Sequence, residues 1–276
     1  MSTFKVACVQ NCAAADLDAN LREVETLVRA AVADGADLVC LPEFYCLLEP
    51  SDGSYYENGY DEDSHPALAH GRDLATELSR WLLLGSMPVR AEAGKVFNRG
   101  FLIAPDGAVT ARYDKIHLFD VVIRDGQDYR ESAGVMPGES AVVAKLPWGS
   151  LGMSICYDVR FPQLYRQLAQ AGADFLTVPA AFTAKTGAAH WHTLLRARAI
   201  ETGSFVFAPG QCGVRPWGRR TYGHSLIVDP WGEILADGGE DVGYVSATID
   251  PARVAEVRTM IPSLGHDRAF LPPRKF

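Results

Sequence analysis

The chain has 276 residues, 48% of them hydrophobic by type, and 26 Lys and Arg against 34 Asp and Glu give a formal net charge of −8. This composition excludes a disordered, collagenous or coiled-coil chain, and the acidic balance argues against nucleic acid as a partner. No apolar run approaches the ~18 residues of a membrane span, so we expect no membrane partner. The N-terminus lacks the basic and apolar segments of a signal peptide, and we expect a cytoplasmic location.

Strand and helix patterns interleave along the whole chain. The predicted elements, in chain order, are strand Phe4–Val9, a helix capped by Asp18 and ending near Gly35, strand Ala36–Leu41, helix Leu68–Arg80, strands Trp81–Val89, Val96–Ala104, Ala108–Tyr113, Ala141–Leu146 and Leu151–Ile155, helix Gln163–Ala171, strand Asp174–Val178, helix Ala188–Thr202, strands Ser204–Ala208, Gly223–Val228 and Tyr244–Ile249, and helix Pro251–Ile261. This order of elements is consistent with two sheets packed face to face with helices on the outside. No linker divides the chain, so we predict a single domain over residues 1–276.

Cys156 lies where an apolar strand, Leu151–Ile155, meets a turn and then a helix. A residue at such a strand-to-helix elbow can expose its side chain at the edge of the sheet. The N-terminus of the following helix adds N–H donors and a partial positive charge, which favour the thiolate, the nucleophilic form of cysteine. The pattern indicates a nucleophile, although a buried cysteine at a strand end explains it as well.

Two charged residues also follow predicted strands. Glu43 comes directly after Leu41-Pro42, where we expect apolar surroundings to raise its pKa and make it a general base. Lys115 follows the second strand of a predicted hairpin, and an ammonium there would stabilise a thiolate or an oxyanion. Taken alone, a solvated loop glutamate and a surface lysine explain these positions at least as well.

The cysteines and histidines leave further alternatives. None of the six cysteines forms a Cys-x-x-Cys pair, so we expect free thiols, no metal and no cofactor. His190 and His192 are two residues apart, which disfavours a metal site formed by both from one helix. His117 or His224 could instead pair with Cys156 as in Cys-His hydrolases, which is the main rival mechanism.

Together these residues resemble the nitrilase, or carbon–nitrogen hydrolase, superfamily. In that family a glutamate, a lysine and a cysteine follow strand ends in this order. The matching segments here are Leu41-Pro42-Glu43, Tyr113–Asp120 and Cys156–Pro162. The resemblance runs from Val6 to about Ile261 and implies an α/β fold, an α-β-β-α sandwich of two mixed sheets face to face with helices outside.

The resemblance also implies an amidase that uses a Glu-Lys-Cys triad. Cys156 would attack the amide carbon to form a thioester. Glu43 would relay protons from the thiol to the departing ammonia and then activate water. Lys115 and the backbone N–H of Tyr157 would form the oxyanion hole. Glu131 matches a second family glutamate that holds the lysine, with a solvated turn residue as the alternative.

Within the family, the segment Cys156–Pro162 is most similar to the omega-amidase and deaminated-glutathione amidase branch. Segments between residues 196 and 225 favour the deaminated-glutathione amidases, which release α-ketoglutarate and Cys-Gly from the α-keto form of glutathione. The resemblance places Tyr157, Arg160, Phe182 and Thr186 around the substrate. Arg160 would bind a substrate carboxylate, and a salt bridge to Asp158 is equally consistent.

Other functions stay open at this point. They are an omega-amidase acting on α-ketoglutaramate, a general aliphatic amidase, and a catalytically silent binding or scaffold protein on the same fold. Family members form dimers or larger assemblies, so we expect at least a homodimer, with an extended C-terminal tail from about residue 262 as a candidate part of the interface. Tyr55, Tyr56 and Tyr60 in the loop 47–63 are consistent with a pocket lid or with a solvated loop.

Overall fold

The structure is a computed structural model that describes residues 2–48, 59–123 and 127–275. Its helices are α1 Leu17–Ala33, α2 Pro66–Leu78, α3 Pro162–Gln170, α4 Ala184–Thr202 and α5 Ala252–Met260. Its strands are β1 Phe4–Gln10, β2 Leu38–Cys40, β3 Trp81–Arg90, β4 Val96–Ile103, β5 Val109–Asp114, β6 Asp120–Ile123, β7 Gln127–Arg130, β8 Val135–Met136, β9 Val142–Leu146, β10 Gly149–Met153, β11 Phe175–Thr177, β12 Phe205–Ala208, β13 Leu226–Val228, β14 Ile234–Asp237 and β15 Gly243–Ile249.

Two sheets form the middle of the molecule. The strand order is β15-β1-β2-β3-β4-β5 in the first sheet, where β8 also pairs with β4, and β14-β13-β12-β11-β10-β9 in the second. β2 is parallel to β3, and β5 has the same direction because the antiparallel β4 lies between them. β10 is likewise parallel to β11. The carboxyl ends of β2 and β5 therefore lie at one edge of the first sheet.

The sheets pack face to face, and helices cover their outer faces. Phe4 of β1 lies in the core between the sheets, 5.3 Å from the ring of Phe175 in β11. Ala7, on the opposite face of β1, belongs to the same apolar cluster as Val28 of α1, while α3 and α4 contact the second sheet. Sheets covered on both faces have nearly continuous apolar strands. The predicted α-β-β-α sandwich is confirmed.

The structure differs from the predicted elements at several helix ends and in several short strands: α2 begins and ends two residues earlier than predicted, and α4 begins four residues earlier, at Ala184. The cap of α1 is Asp16, not Asp18, and its carboxylate accepts a hydrogen bond of 2.9 Å from the N–H of Ala19. The strands β6, β7, β8 and β14 are absent from the prediction. They have two to four residues each, so pairing with a neighbouring strand, rather than an apolar pattern, defines them.

Two glycines let the backbone pass close to the segments that carry charged residues. A Cβ on Gly85 of β3 would lie 1.9 Å from the carbonyl oxygen of Leu41, two residues before Glu43. A Cβ on Gly138 would lie 2.1 Å from the carbonyl oxygen of Asp114, directly before Lys115. Distances this short exclude any larger residue without a backbone shift. The observed path of the strand ends before Glu43 and Lys115 therefore requires glycine at both positions.

The C-terminal tail follows a 3-10 helix, Ser263–Gly265. Residues 266–275 have no regular secondary structure and are exposed, although Arg166 and Gln170 of α3 hydrogen-bond the carboxylate of Asp267. Among the described residues, no helix combines the length and apolarity that crossing a membrane requires.

Candidate active site

Three strand ends bring Glu43, Lys115 and Cys156 together. The Lys115 ammonium donates a hydrogen bond of 2.9 Å to Oε1 of Glu43, and Cys156 lines the same cavity as both residues, with its thiol close enough for Glu43 to shift its pKa. Glu43 and Lys115 are 3% and 2% exposed. The alternatives of a solvated glutamate and a surface lysine are therefore wrong.

Cys156 occupies a strained backbone position at the start of a 3-10 helix, Cys156–Arg160. Its φ of 47° lies in the left-handed region, which costs a residue with a Cβ free energy. Its N–H donates to the carbonyl of Pro179 at 2.9 Å, which holds this conformation. A nucleophile elbow has this geometry, as the strand–turn–helix sequence indicated.

The segment after Pro179 also positions the carboxylate. The N–H of Ala181 donates to Oε2 of Glu43 at 2.8 Å, while the amide of Asn98 in β4 donates to Oε1 at 2.9 Å. Phe44, the next residue, has a φ of 52° and donates its N–H to Ser86. Glu43 is thus held by hydrogen bonds from three directions rather than by packing alone.

Glu131 binds the other side of the ammonium. Nζ of Lys115 lies 3.0 and 2.9 Å from the two carboxylate oxygens of Glu131. The N–H of Phe119 donates to Oε2 of Glu131 at 2.6 Å, and Asn98 donates to Oε1 at 3.2 Å. Asn98 therefore bridges the two glutamates that flank Lys115.

Burial and neighbouring charges set the protonation states. Burial raises the pKa of Glu43, but the Lys115 ammonium and the hydrogen bonds to the carboxylate outweigh it, so the pKa is lowered. Burial and the charge of Glu43 raise the pKa of Cys156 well above its usual value, against the opposing effect of Lys115. The carboxylates of Glu131 and Glu43 outweigh the effect of burial on Lys115, whose pKa is raised.

These directions correct two expectations. The pKa of Glu43 is lowered rather than raised, because its cation lies in contact with it. The Cys156 thiolate is disfavoured rather than favoured, because the sulfur is buried beside a carboxylate. The resting site consequently holds a neutral thiol and an ionised carboxylate, which suits proton transfer during the attack rather than before it.

A cavity of about 490 Å³ opens onto these residues. Glu43, Lys115, Glu131 and Cys156 line it, together with three of the proposed substrate-binding residues, Tyr157, Phe182 and Thr186. The backbone N–H of Tyr157 is in the first turn of the 3-10 helix and therefore has no acceptor within that helix. This N–H and the Lys115 ammonium are the donors that the sequence suggested for an oxyanion.

Arg160 is not among the residues that line the cavity. Its guanidinium lies 5.8 and 5.3 Å from the ring centroids of Tyr157 and Phe182, which both line the cavity, and contacts His190 at 3.4 Å. The alternative salt bridge to Asp158 is also absent from the described contacts, because other donors occupy that carboxylate. Arg160 thus contacts two residues of the cavity lining.

The histidines of the rival mechanism face other partners. His117 Nδ1 lies 2.7 Å from Asp158 and its ring stacks on Phe161, while His224 Nδ1 lies 2.8 Å from Asp237. Neither histidine lines the cavity. Within the described ranges, the side chains of His192, His224 and Asp237 form one cluster of metal-ligand type, which lies outside the cavity lining.

The sequence missed Asn98, the N–H of Ala181 and Arg219, which also lines the cavity. A polar residue inside the apolar strand Val96–Ile103 was a signal for Asn98, but a buried structural asparagine gives the same signal. Tyr55 and Tyr56, considered for a lid, lie outside the described residues. Tyr60 is described, and it pairs with Val89 away from the cavity lining.

The comparisons with known proteins agree with this architecture. Residues 5–259 match the family model for carbon-nitrogen hydrolases. The chain is 47% identical to a deaminated glutathione amidase of Synechocystis sp., over 98% of this chain and all of that protein, and 35% identical to the omega-amidase NIT2 of Mus musculus, over 98% and 97%. The solved structure of Saccharomyces cerevisiae Nit3, a member of the nitrilase superfamily, superposes with a TM-score of 0.84 at 29% identity, over 94% of each chain. The chain therefore belongs to the carbon-nitrogen hydrolase family.

Proposed function

We propose that the chain is an amidase in which Cys156 is the nucleophile, Glu43 the proton carrier, Lys115 the oxyanion-stabilising cation and Glu131 the residue that holds Lys115. The observation that carries this proposal is that Cys156 lines one cavity together with Glu43 and Lys115, which form an ion pair of 2.9 Å. A nucleophile, a base and a fixed cation facing one cavity suffice for acyl transfer.

In the first step, Sγ of Cys156 bonds to the amide carbon while its proton passes to Glu43. The tetrahedral intermediate collapses when the protonated Glu43 gives that proton to the leaving nitrogen, and the C–N bond breaks to leave a thioester. Water then attacks the thioester carbon and gives a proton to Glu43. The second tetrahedral intermediate collapses when the C–S bond breaks, the carboxylic acid leaves, and Glu43 returns this proton to the sulfur.

The oxyanion of each tetrahedral intermediate would bind the N–H of Tyr157 and the ammonium of Lys115. The ammonium has three N–H groups, and three carboxylate oxygens lie within 3.0 Å of Nζ. The oxyanion therefore replaces one of the two contacts with Glu131. Such an exchange needs no large movement, because Glu131 retains the N–H of Phe119.

For the substrate we propose deaminated glutathione, cleaved to α-ketoglutarate and Cys-Gly. The similarity over the full length to a relative of that name supports this choice, and the cavity volume of about 490 Å³ suits a molecule of this size. The second candidate is α-ketoglutaramate, which the similarity to an omega-amidase favours. The two substrates share an acyl group and differ in the leaving group, Cys-Gly or ammonia.

Steady-state kinetics with deaminated glutathione, α-ketoglutaramate and a simple aliphatic amide test the assignment. We expect a large preference for deaminated glutathione in kcat/KM. Equal rates would contradict this substrate, and a reversed order would favour the omega-amidase.

Trapping the intermediate separates an enzyme from a silent scaffold. The parent chain, denatured during turnover, should carry an acyl group on Cys156 that mass spectrometry detects, and Cys156→Ser should carry no thioester. Cys212→Ser is the matched control, since Cys212 is also buried but does not line the cavity. An unmodified Cys156 and no turnover of any of the three amides would favour the scaffold.

We also propose a cytoplasmic, homo-oligomeric enzyme with a single domain over residues 1–276. All six cysteines are free, as in a reducing compartment, and β1 pairs with β15 from the other end of the chain. In the tail, Phe270 and Leu271 are 90% and 74% exposed, as expected of residues that a second copy covers. Light scattering should give a dimer or larger, and a monomer at micromolar concentration would contradict the oligomer.

A further inference from the structure

Two histidines and an aspartate from three different parts of the chain meet outside the lining of the active-site cavity. His192 lies on α4, His224 lies two residues before β13, and Asp237 is the last residue of β14. One nitrogen or oxygen atom of each side chain lies within 4.8 Å of the corresponding atoms of the other two. The nearest histidine in the sequence, His190, contacts Arg160 instead. The fold, and not the spacing along α4, therefore brings the two histidines of the cluster together.

The spacing of these side chains fits a transition-metal ion. Nε2 of His192 lies 3.0 Å from Oδ2 of Asp237, and Nδ1 of His224 lies 2.8 Å from Oδ1. Zinc bonds of about 2.0–2.2 Å place neighbouring tetrahedral ligands about 3.3–3.6 Å apart, so an ion requires the ligand atoms to separate by only about half an ångström. A mixed set of nitrogen and oxygen ligands suits Zn²⁺, whereas Ca²⁺ and Mg²⁺ take oxygen ligands.

Neither histidine has to lose a proton to bind an ion. A neutral imidazole has one protonated nitrogen and one nitrogen with a free electron pair. His192 would bind the ion through Nε2 and keep its proton on Nδ1, and His224 would bind through Nδ1 and keep its proton on Nε2. Each histidine then exchanges its hydrogen bond with Asp237 for a bond to the ion that both share with this carboxylate.

The backbone holds two of the three ligands in place. His224 has a φ of 51°, in the left-handed region, which costs a residue with a Cβ free energy. Its N–H donates to the carbonyl of Gly239 at 2.6 Å, and its carbonyl accepts a hydrogen bond of 2.8 Å from the indole of Trp191. The N–H of Gly239 in turn donates to Oδ1 of Asp237 at 3.0 Å. Ligands fixed in this way bind an ion with a smaller loss of entropy than free side chains.

The charges around the cluster favour a cation. Asp237 contributes a negative charge, and among the described residues no lysine or arginine forms an ion pair with it. Both histidine side chains of the cluster are partly exposed, so an ion and its water ligands can reach them. Glu25 also binds a histidine, His70, but Arg29 occupies the same carboxylate at 2.8 Å. A guanidinium at that position repels a metal ion, which makes His70 a matched control.

We propose that His192, His224 and Asp237 form a binding site for a divalent transition-metal ion of the Zn²⁺ class, with water in the remaining coordination positions. None of the three residues lines the cavity, so the ion is structural rather than catalytic. It would join α4 to the segment before β13 and to β14, the edge strand of the second sheet. An ion that binds only the folded chain stabilises it. This site does not depend on the proposed amidase function.

Calorimetry with Zn²⁺ as the only added ligand tests the site in the full chain, after a chelator has removed bound metals. The reference chain is Cys156→Ser, which removes the active-site thiol as a competing ligand. We expect one ion per chain. His192→Asn or His224→Asn should each weaken its binding by more than about 100-fold, because changes to residues that only support a metal ligand already cost about 10- to 100-fold. His70→Asn should leave the binding unchanged.

The melting temperature separates a metal site from a cluster that only forms hydrogen bonds. Asparagine tolerates the left-handed conformation at position 224, so His224→Asn should still fold. Saturating Zn²⁺ should raise the melting temperature of the reference chain and of His70→Asn, but not that of His192→Asn or His224→Asn. Equal binding in the reference chain and both cluster variants, or loss in only one of them, would overturn the site. The absence of any response to about 100 µM Zn²⁺ would also overturn it.

Discussion

Replacing Glu43 with glutamine tests the protonation states of the active site. The variant loses the negative charge that raises the pKa of Cys156, while the Lys115 ammonium stays near the sulfur. We expect the Cys156 thiol to titrate at a lower pH in Glu43→Gln than in the parent chain. The same variant loses its general base. The thiolate therefore forms at a lower pH, while the amidase activity falls.

The magnitude follows from the contacts of Glu43. Removing a positioned general base lowers kcat/KM by about 10²- to 10⁴-fold. Oε1 accepts from Lys115 and Asn98, and Oε2 accepts from the N–H of Ala181. A glutamine that keeps the first pair turns its NH₂ group against the Ala181 N–H, which destabilises the fold by about 1–3 kcal/mol.

Ultraviolet absorbance of the thiolate, followed as a function of pH, measures the titration of Cys156. Subtracting the matched Cys156→Ser chain removes the signal of the other cysteines in both the parent and the variant. An unchanged or higher midpoint in Glu43→Gln would contradict the electrostatic account. Retention of kcat/KM within about tenfold would contradict the role of Glu43 as the base.

Two further predictions concern the ion pair and the pH dependence of stability. Glu131→Gln should lower the free energy of unfolding in urea by about 1–3 kcal/mol, because Lys115 loses one of its buried partners. Glu25→Gln, at a partly exposed site that pairs with Arg29 and His70, should change it by less than about 1 kcal/mol, and equal losses would contradict the reasoning. Burial lowers the pKa of His65 from 6.5 to about 4, so the unfolded chain binds more protons in this range, and the folded state should lose up to about 3 kcal/mol between pH 6.5 and 4. Urea unfolding at several pH values measures this loss, which His65→Asn should reduce; an equal slope in the variant would contradict it.

Local patterns in the sequence were sufficient for the order of the elements and for the candidate nucleophile. Strands covered on both faces need nearly continuous apolar residues, so β1, β3 and β4 are visible without knowledge of their partners. The elbow at Cys156 is likewise local, since a strand, a turn and a helix follow one another within a short segment. The short strand β14 has an exposed surface and leaves no such pattern.

The distances between charged side chains depend on residues that are far apart in the sequence. The expected rise in the pKa of Glu43 assumed burial alone, but Lys115, 72 residues later in the chain, reverses its direction. Similarly, the motif around the nucleophile drew attention to Arg160, whereas the arginines that line the cavity are Arg130 and Arg219, in other parts of the chain. Sequence spacing contains no information about which of two arginines faces a pocket.

The amino-acid sequence by itself determined the layered architecture, the family and the residue types of the active site, because apolar periodicity and short motifs depend on neighbouring residues. Only the tertiary structure decided which side chains carry a proton and which charged groups face the cavity. Electrostatic energy depends on distance and burial in space, and both arise when segments far apart in the chain pack together.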